Sequence, residues 1–197
     1  MTIAYSLGSA LYLNLTNRCP CDCVFCLRNT GEGVNPGESL WLDHDPSAEE
    51  VMTALEAVDF EQYSEVVFCG YGEPTERLDV LLECAAYLKK TQKLPIRLNT
   101  NGLSDLINKK KTAPLLAEYM DIISISLNAP DEESYISMCA PVFGKGSFDA
   151  LLQFAKDCKK FPAVKVNLSV VAHTINKDTL ARCQALCDSL DIPLRRR

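Results

Sequence analysis

The sequence predicts an α/β fold: a single domain built as a partial, TIM-like (β/α)6 barrel around a parallel sheet. Three observations predict it. Strand-like and helix-like segments alternate along the chain, which implies parallel strands joined by right-handed crossovers. Several of the strand-like segments are short runs rich in Val, Ile and Leu, the pattern of strands covered by helices. The 197 residues suit one domain, and six strand–helix units fall short of a closed eight-fold barrel.

The elements follow in order. The strands are predicted over Ala10–Thr16, Glu65–Gly70, Ile96–Gly102, Ile122–Asn128, Val164–Val171 and Ile192–Arg196. The helices are predicted over Ser47–Phe60, Leu78–Thr91, Ala113–Met120, Asp131–Cys139, Ser147–Phe161 and Lys177–Leu190. Ser47 and Glu50, three residues apart, form a capping box that opens the first helix. Gly144-Lys145-Gly146 precedes Ser147, after which Phe148, Leu151, Leu152 and Ala155 share a helix face. The longest irregular stretch, Leu27–Asp45 with Gly31, Gly33, Pro36 and Gly37, reads as a functional loop.

Composition narrows the function. Hydrophobic residues at 47% and charged residues at 23% exclude a disordered chain. No apolar run approaches the ~20 residues of a membrane span, and Met1–Ser6 shows no basic segment ahead of an apolar stretch. A cytoplasmic location is expected. The net charge of −6 argues against a nucleic-acid partner. Lys109–Lys111 and Arg195–Arg197 read as solvated charge. Ten cysteines stand against two histidines, and in a reducing compartment they are thiols or metal ligands.

In folds of this kind chemistry gathers at the carboxyl ends of the strands. After the first predicted strand comes Asn17-Arg18-Cys19-Pro20-Cys21-Asp22-Cys23-Val24-Phe25-Cys26, and after the second Gly70-Tyr71-Gly72-Glu73-Pro74-Thr75. The third ends in Asn99-Thr100-Asn101-Gly102 and the fourth in Ser124-Ile125-Ser126-Leu127-Asn128. That is the layout of one shared site. Cys19, Cys23 and Cys26 form C-x3-C-x2-C, and thiolates are the natural ligands of iron–sulfur clusters. Three ligands on a four-iron cluster leave one iron open to a substrate, by analogy with catalytic zinc. Cys21 is a possible fourth ligand, but four cysteines within eight residues are tight for a tetrahedral zinc cage. Zinc, or buried free thiols, are the plainer readings of the same residues.

These motifs resemble the radical SAM superfamily. Cys19, Cys23, Phe25 and Cys26 match its C-x3-C-x-aromatic-C motif, and Gly70-Tyr71-Gly72-Glu73-Pro74 its glycine–glutamate motif. The resemblance runs over essentially the whole chain, and the chain is most similar to the small TatD-associated members. That likeness rests on Thr16–Cys19, Phe68–Thr75, Asn99–Leu103 and Ser124–Pro130.

The resemblance implies a [4Fe-4S] cluster held by Cys19, Cys23 and Cys26, with S-adenosyl-L-methionine on the fourth iron and Cys21 as a non-ligand. It implies reductive cleavage to methionine and a 5′-deoxyadenosyl radical that abstracts hydrogen from an unidentified substrate. The protein's part is then binding and positioning. Phe25 is placed beside the adenine. Backbone carbonyls of Gly70, Tyr71 and Gly72 and the Glu73 carboxylate would accept bonds from the methionyl ammonium. Tyr71 stands where the superfamily commonly has glycine, and its carbonyl is retained. Asn99, Asn101, Ser126 and Asn128 are placed for the ribose or the methionyl carboxylate, or equally for capping strand ends. Val170 and Val171 are candidates for adenine packing or core.

The partners implied are a substrate, an external one-electron donor of flavodoxin or ferredoxin type, and a functional link to a TatD-family protein. Cys69, Cys84, Cys139, Cys158, Cys183 and Cys187 remain as packing thiols. With no trailing cysteine motif, residues 1–197 read as one core domain, with a cluster loop at 17–28 and no auxiliary-cluster domain. Substrate selection is expected from Leu27–Asp45 or from a partner. His173 is the better histidine for a substrate contact, with His44 incidental, and Arg28 reads as a surface ion pair. Competing readings are an iron–sulfur redox or sensing protein and a zinc-stabilised interaction module. Within enzymes the competitors are a glycyl-radical activase and a queuosine-type small-molecule enzyme. The Gly-x-Gly-Glu-Pro form is also similar to RNA-methylating members, against which the length and acidity argue.

Overall fold

The fold was derived from a computed structural model that describes residues 1–30 and 39–197. Its described strands form one sheet in sequential order: β1 (Ala4–Leu7), β2 (Ala10–Leu13), β3 (Glu65–Phe68), β4 (Ile96–Thr100), β5 (Ile122–Ser126), β6 (Lys165–Val170) and β7 (Leu194–Arg196). Pairing from β2 through β7 is parallel. The two edge strands, β1 and β7, do not meet, so the partial barrel expected from the sequence is borne out. β1 is an addition. It pairs antiparallel with β2, from Ala4 opposite Leu13 to Leu7 opposite Ala10. The turn between them places Gly8 at φ +59°, a conformation glycine adopts without a Cβ penalty.

Helices α1 (Leu27–Thr30), α2 (Ala48–Glu56), α3 (Leu78–Thr91), α4 (Ser104–Asn108), α5 (Ala113–Ala117), α6 (Glu132–Cys139), α7 (Ser147–Lys159) and α8 (Lys177–Leu190) fill the crossovers. The capping box is present: Ser47 N donates to Glu50 Oε2 at 2.8 Å, and Glu50 N to Ser47 Oγ at 3.2 Å. α1 and α4 were not anticipated; helices of four and five residues carry too little periodicity to announce themselves. Leu27–Asp45 is therefore not all loop. Its first four residues are helical, and residues 31–38 lie outside the described residues.

Alternate strand residues point to opposite faces. One face carries Leu11, Leu13, Val66, Phe68, Leu98, Ile123, Ile125, Leu168 and Val170, all buried in the main core with residues of the crossover helices. The other face is polar. Its register sets Asn99 beside Ser124, Ser124 beside Asn167, Ser126 beside Ser169, and Ser169 beside Arg195. The apolar runs thus describe only half of each strand. The helices cover one face, and the concave face keeps hydrogen-bonding groups for a ligand.

Candidate active site

The loop after β2 is tied down from both sides. Asn17 Nδ2 donates to Leu42 O at 2.7 Å while Leu42 N donates to Asn17 Oδ1 at 3.0 Å. Thr16 Oγ1 donates to Asp45 Oδ1 at 2.6 Å. Opposite, Asp22 N donates to Cys139 O and Val24 N to Met138 O, each at 3.0 Å, and Val142 N to Pro20 O at 2.8 Å. Arg28 closes the loop on itself. Its Nε points at Cys26 Sγ (3.3 Å), and Nη1 and Nη2 donate to Asn17 O (3.3 Å) and Cys21 O (3.0 Å). Arg28 is a clamp of the cysteine loop rather than the surface ion pair expected.

Cys19, Cys23 and Cys26 line one cavity of about 750 Å³, and Cys21 and Cys139 line it too. The sulfurs perturb one another. A hydrogen bond from Cys21 holds the Cys19 thiol below its ordinary range despite burial. Hydrogen bonds from Cys139 and Cys21 do the same for Cys23. The donors, Cys21 and Cys139, are driven upward by those bonds and by burial. Asn101 Nδ2 lies 3.9 Å from Cys19 Sγ and 3.8 Å from Cys21 Sγ, a further donor facing the thiols. Cys139 was read as a packing thiol. The backbone pairing of residues 20–24 with 138–142 places it on the cavity wall instead.

The glycine–glutamate turn packs directly on the cysteine loop. A Cβ on Gly72 would stand 2.2 Å from Thr16 O and 2.6 Å from Arg18 O, backbone atoms that cannot yield. Glycine is required there by close approach, beyond the needs of an ordinary turn. Glu73 N donates to Arg18 O at 2.8 Å. The Glu73 carboxylate is 3% exposed and joins the tips of β3 and β4. Its Oε1 accepts from Thr75 N (3.2 Å), Thr75 Oγ1 (2.8 Å) and Thr100 Oγ1 (2.7 Å), and Oε2 from Asn101 N (2.7 Å). Desolvation pushes its carboxyl upward against the pull of these bonds. A carboxylate has about four acceptor positions, so Oε2, with one bond among the described residues, retains room for a further donor.

The remaining predicted residues reach the same cavity. Phe25, Gly70, Tyr71, Asn99, Asn101, Ser126 and Asn128 all line it. Asn128 sits at φ +58° and donates from Nδ2 to Cys139 Sγ at 3.8 Å; its Oδ1 is buried without a partner among the described residues. Tyr71 packs with Tyr5 and Leu40 and meets Trp41 edge-on at 5.3 Å. Val171 and His173 line the cavity, whereas Val170 points into the core.

A model of the radical SAM superfamily matches residues 13–186. The chain belongs to the radical SAM superfamily. No curated protein matches it. Among solved structures it is similar to Streptococcus suis SuiB bound to its precursor peptide SuiA, at TM-score 0.69 and 17% identity over 98% of this chain and 40% of that one. It is also similar to methylornithine synthase (PylB), at TM-score 0.63 and 15% identity over 95% of this chain and 52% of that one. Archaeal TYW1 follows at TM-score 0.53 and 14% identity, over 93% and 62%. At these identities the likeness is one of fold, and the chain spans about half the length of the structures it matches.

Radical SAM members are enzymes that generally use a [4Fe-4S] cluster and S-adenosyl-L-methionine. The radical SAM protein described here fits that pair on three counts. Four cysteines of one loop, three of them in the C-x3-C-x2-C spacing, border a cavity large enough for a ligand of that size. The orphaned Asn128 Oδ1 and the spare position on Glu73 Oε2 are acceptors awaiting donors. Gly72 brings the two motif loops to backbone contact, which a side chain would wedge apart. Among the described residues no three His, Cys, Asp or Glu side chains are grouped to hold a single metal ion, and no helix is long and apolar enough to cross a membrane.

One sequence reading fails on this wall. Cys69, read as a strand thiol, follows β3 and lines the cavity. Arg195 and Arg197 are exposed, as the reading of solvated charge expects, and they also line the cavity. The two-residue period of β7 carries the signal for Arg195.

Proposed function

We propose that residues 1–197 act as one radical SAM core, in which Cys19, Cys23 and Cys26 hold the cluster and Glu73, Asn99, Asn101, Ser126 and Asn128 bind S-adenosyl-L-methionine. The single observation that carries this reading is convergence. Thiols, glycine turn and polar strand tips, from four separate chain segments, open into one cavity. When bound, the pair supplies reductive cleavage of the sulfonium to methionine and a 5′-deoxyadenosyl radical, which abstracts hydrogen from the substrate. This chain's residues bind and position. Glu73 Oε2 accepts from the methionyl ammonium, a charge-assisted bond. Gly70, Tyr71 and Gly72 offer carbonyls to it, and Phe25 and Val171 supply apolar surface to the adenine. An external flavodoxin- or ferredoxin-type donor delivers the electron. The likeness to the TatD-associated members rests on the motif residues and names no substrate.

The test is anaerobic reconstitution followed by reductant and S-adenosyl-L-methionine. About four irons and four sulfides per chain are expected, with 5′-deoxyadenosine and methionine as products. Stoichiometric zinc without iron overturns the reading. A second reading, a redox or sensing cluster held by four cysteines, draws on Cys21 and Cys139 lining the same cavity. It predicts iron without 5′-deoxyadenosine.

A further inference from the structure

Three arginines, Arg97, Arg195 and Arg197, line the cavity. Arg97, on β4, is 5% exposed at its side chain and compensated. Its Nε and Nη2 bind the two Glu65 oxygens at 3.0 and 2.7 Å, and Nη1 donates to Asn99 Oδ1 at 3.3 Å. Arg195 and Arg197 are not compensated. β7 turns Arg195 toward the concave face and Arg197 follows directly after the strand; both line the cavity with Ser126 and His173. Neither has a carboxylate within ion-pair distance among the described residues. Arg197 Nη2 reaches across to Ser126 Oγ at 3.0 Å. The charges of Arg195 and Arg97 press the Arg197 guanidinium downward, although its side chain stays open to solvent.

Two guanidinium groups gathered on one cavity wall, with no carboxylate within ion-pair distance among the described residues, are placed to receive a counter-charge. The protein as a whole is acidic, at net charge −6, so these charges do not belong to a generally basic surface. Guanidinium presents forked donors matched to carboxylate and phosphate oxygens. Resting on the function proposed above, we propose that Arg195 and Arg197, with the Ser126 hydroxyl, form the anion-binding end of the substrate site, and that the substrate carries a carboxylate or phosphate group there. Selection then draws on the sheet's β7 edge.

The probes are inorganic phosphate and succinate, each titrated by calorimetry into reconstituted protein with S-adenosyl-L-methionine bound, at fixed ionic strength. Saturable binding of at least one is expected, and the tighter of the two identifies the group. The Arg195→Gln/Arg197→Gln double variant should weaken it at least about tenfold, as expected for lost charge-assisted bonds. Arg195→Lys/Arg197→Lys should recover part of it, and Lys109→Gln/Lys110→Gln on the outer surface should leave it unchanged. Three results overturn the proposal: no saturable binding of either anion, wild-type affinity in the double glutamine variant, or displacement of S-adenosyl-L-methionine by the anion, which would assign the arginines to the methionyl carboxylate. In each of these the wild-type protein still forms 5′-deoxyadenosine if the proposed function holds. Anion binding without 5′-deoxyadenosine would sink the function and leave the anion site standing.

Discussion

Two sets of cysteines occupy this chain, and they differ in everything but residue type. Cys84, Cys158, Cys183 and Cys187, on α3, α7 and α8, are fully buried in the main core. Burial pushes Cys84 and Cys187 up to about 12 and Cys183 to about 11, and raises Cys158 as well. At the cavity, by contrast, Cys19 and Cys23 are drawn down, because neighbouring thiols donate to them. Metal ligation requires the thiolate. On the proposed assignment, a ligand set is made by loop geometry and donors rather than by cysteine content.

The largest predicted effect breaks the comparison open. Cys19→Ser, Cys23→Ser and Cys26→Ser should each drop iron from about four per chain to near none, since one ligand of three is lost. Cys183→Ser should keep full iron and lose stability instead. It buries a hydroxyl where a thiol packed, a loss of about 1–3 kcal/mol unless the hydroxyl finds a partner. Iron analysis and denaturant unfolding of the same four variants separate the two outcomes. A Cys23 variant that retains its iron, or a Cys183 variant that sheds it, would show that the division is drawn in the wrong place.

A smaller effect sharpens it. Cys21 and Cys139 touch the thiols proposed as ligands, yet neither belongs to the C-x3-C-x2-C spacing. Cys21→Ser and Cys139→Ser should retain the cluster. They should alter its reduction potential, because hydrogen bonds to cluster sulfurs tune it. Loss of iron in either variant equal to that of Cys23→Ser would make that residue a fourth ligand and favour the redox reading.

What was legible follows from distance along the chain. The C-x3-C-x2-C loop and Gly70–Thr75 are contiguous, so their chemistry could be read directly. The six parallel strands and their helices announced themselves by alternation. Cys139 could not be assigned this way. It reaches Cys23 only through the pairing of Asp22 and Val24 with residues 138–139, a tertiary event with no local trace. Glu73 was legible as a conspicuous carboxylate but not as the staple between Thr75, Thr100 and Asn101. Arg195 and Arg197 are solvated, and their place beside the cavity is written in the strand parity. Parity with Ser124 and Ser126 across β6 puts Arg195 on the polar face, with Arg197 two residues on.

The smallest predicted effect tests how far the packed side depends on charge at all. Beside the inert Cys158, Asp157 accepts from Lys160 Nζ at 2.6 Å and Lys111 Nζ at 2.9 Å, and Lys111 also meets Asp105 at 3.1 Å, linking α7 to α4. Lys160 and Lys111 hold the Asp157 carboxyl at about 2, below the roughly 3.9 of an unfolded chain. A depressed carboxyl stabilises above its unfolded pKa, and the contribution fades as pH falls through the folded value. Lys111 and Lys160 are 63% and 69% exposed at their side chains, so solvent screening trims the effect to about 1 kcal/mol. Asp157→Asn should therefore lose about that much stability at pH 7. The gap from wild type should close between about pH 4 and pH 2 in denaturant titrations, with iron content unchanged throughout. A gap that persists below pH 2 would mean that Asp157 acts by packing. The helical side would then be held by shape alone, which sharpens its contrast with a cavity built on charge.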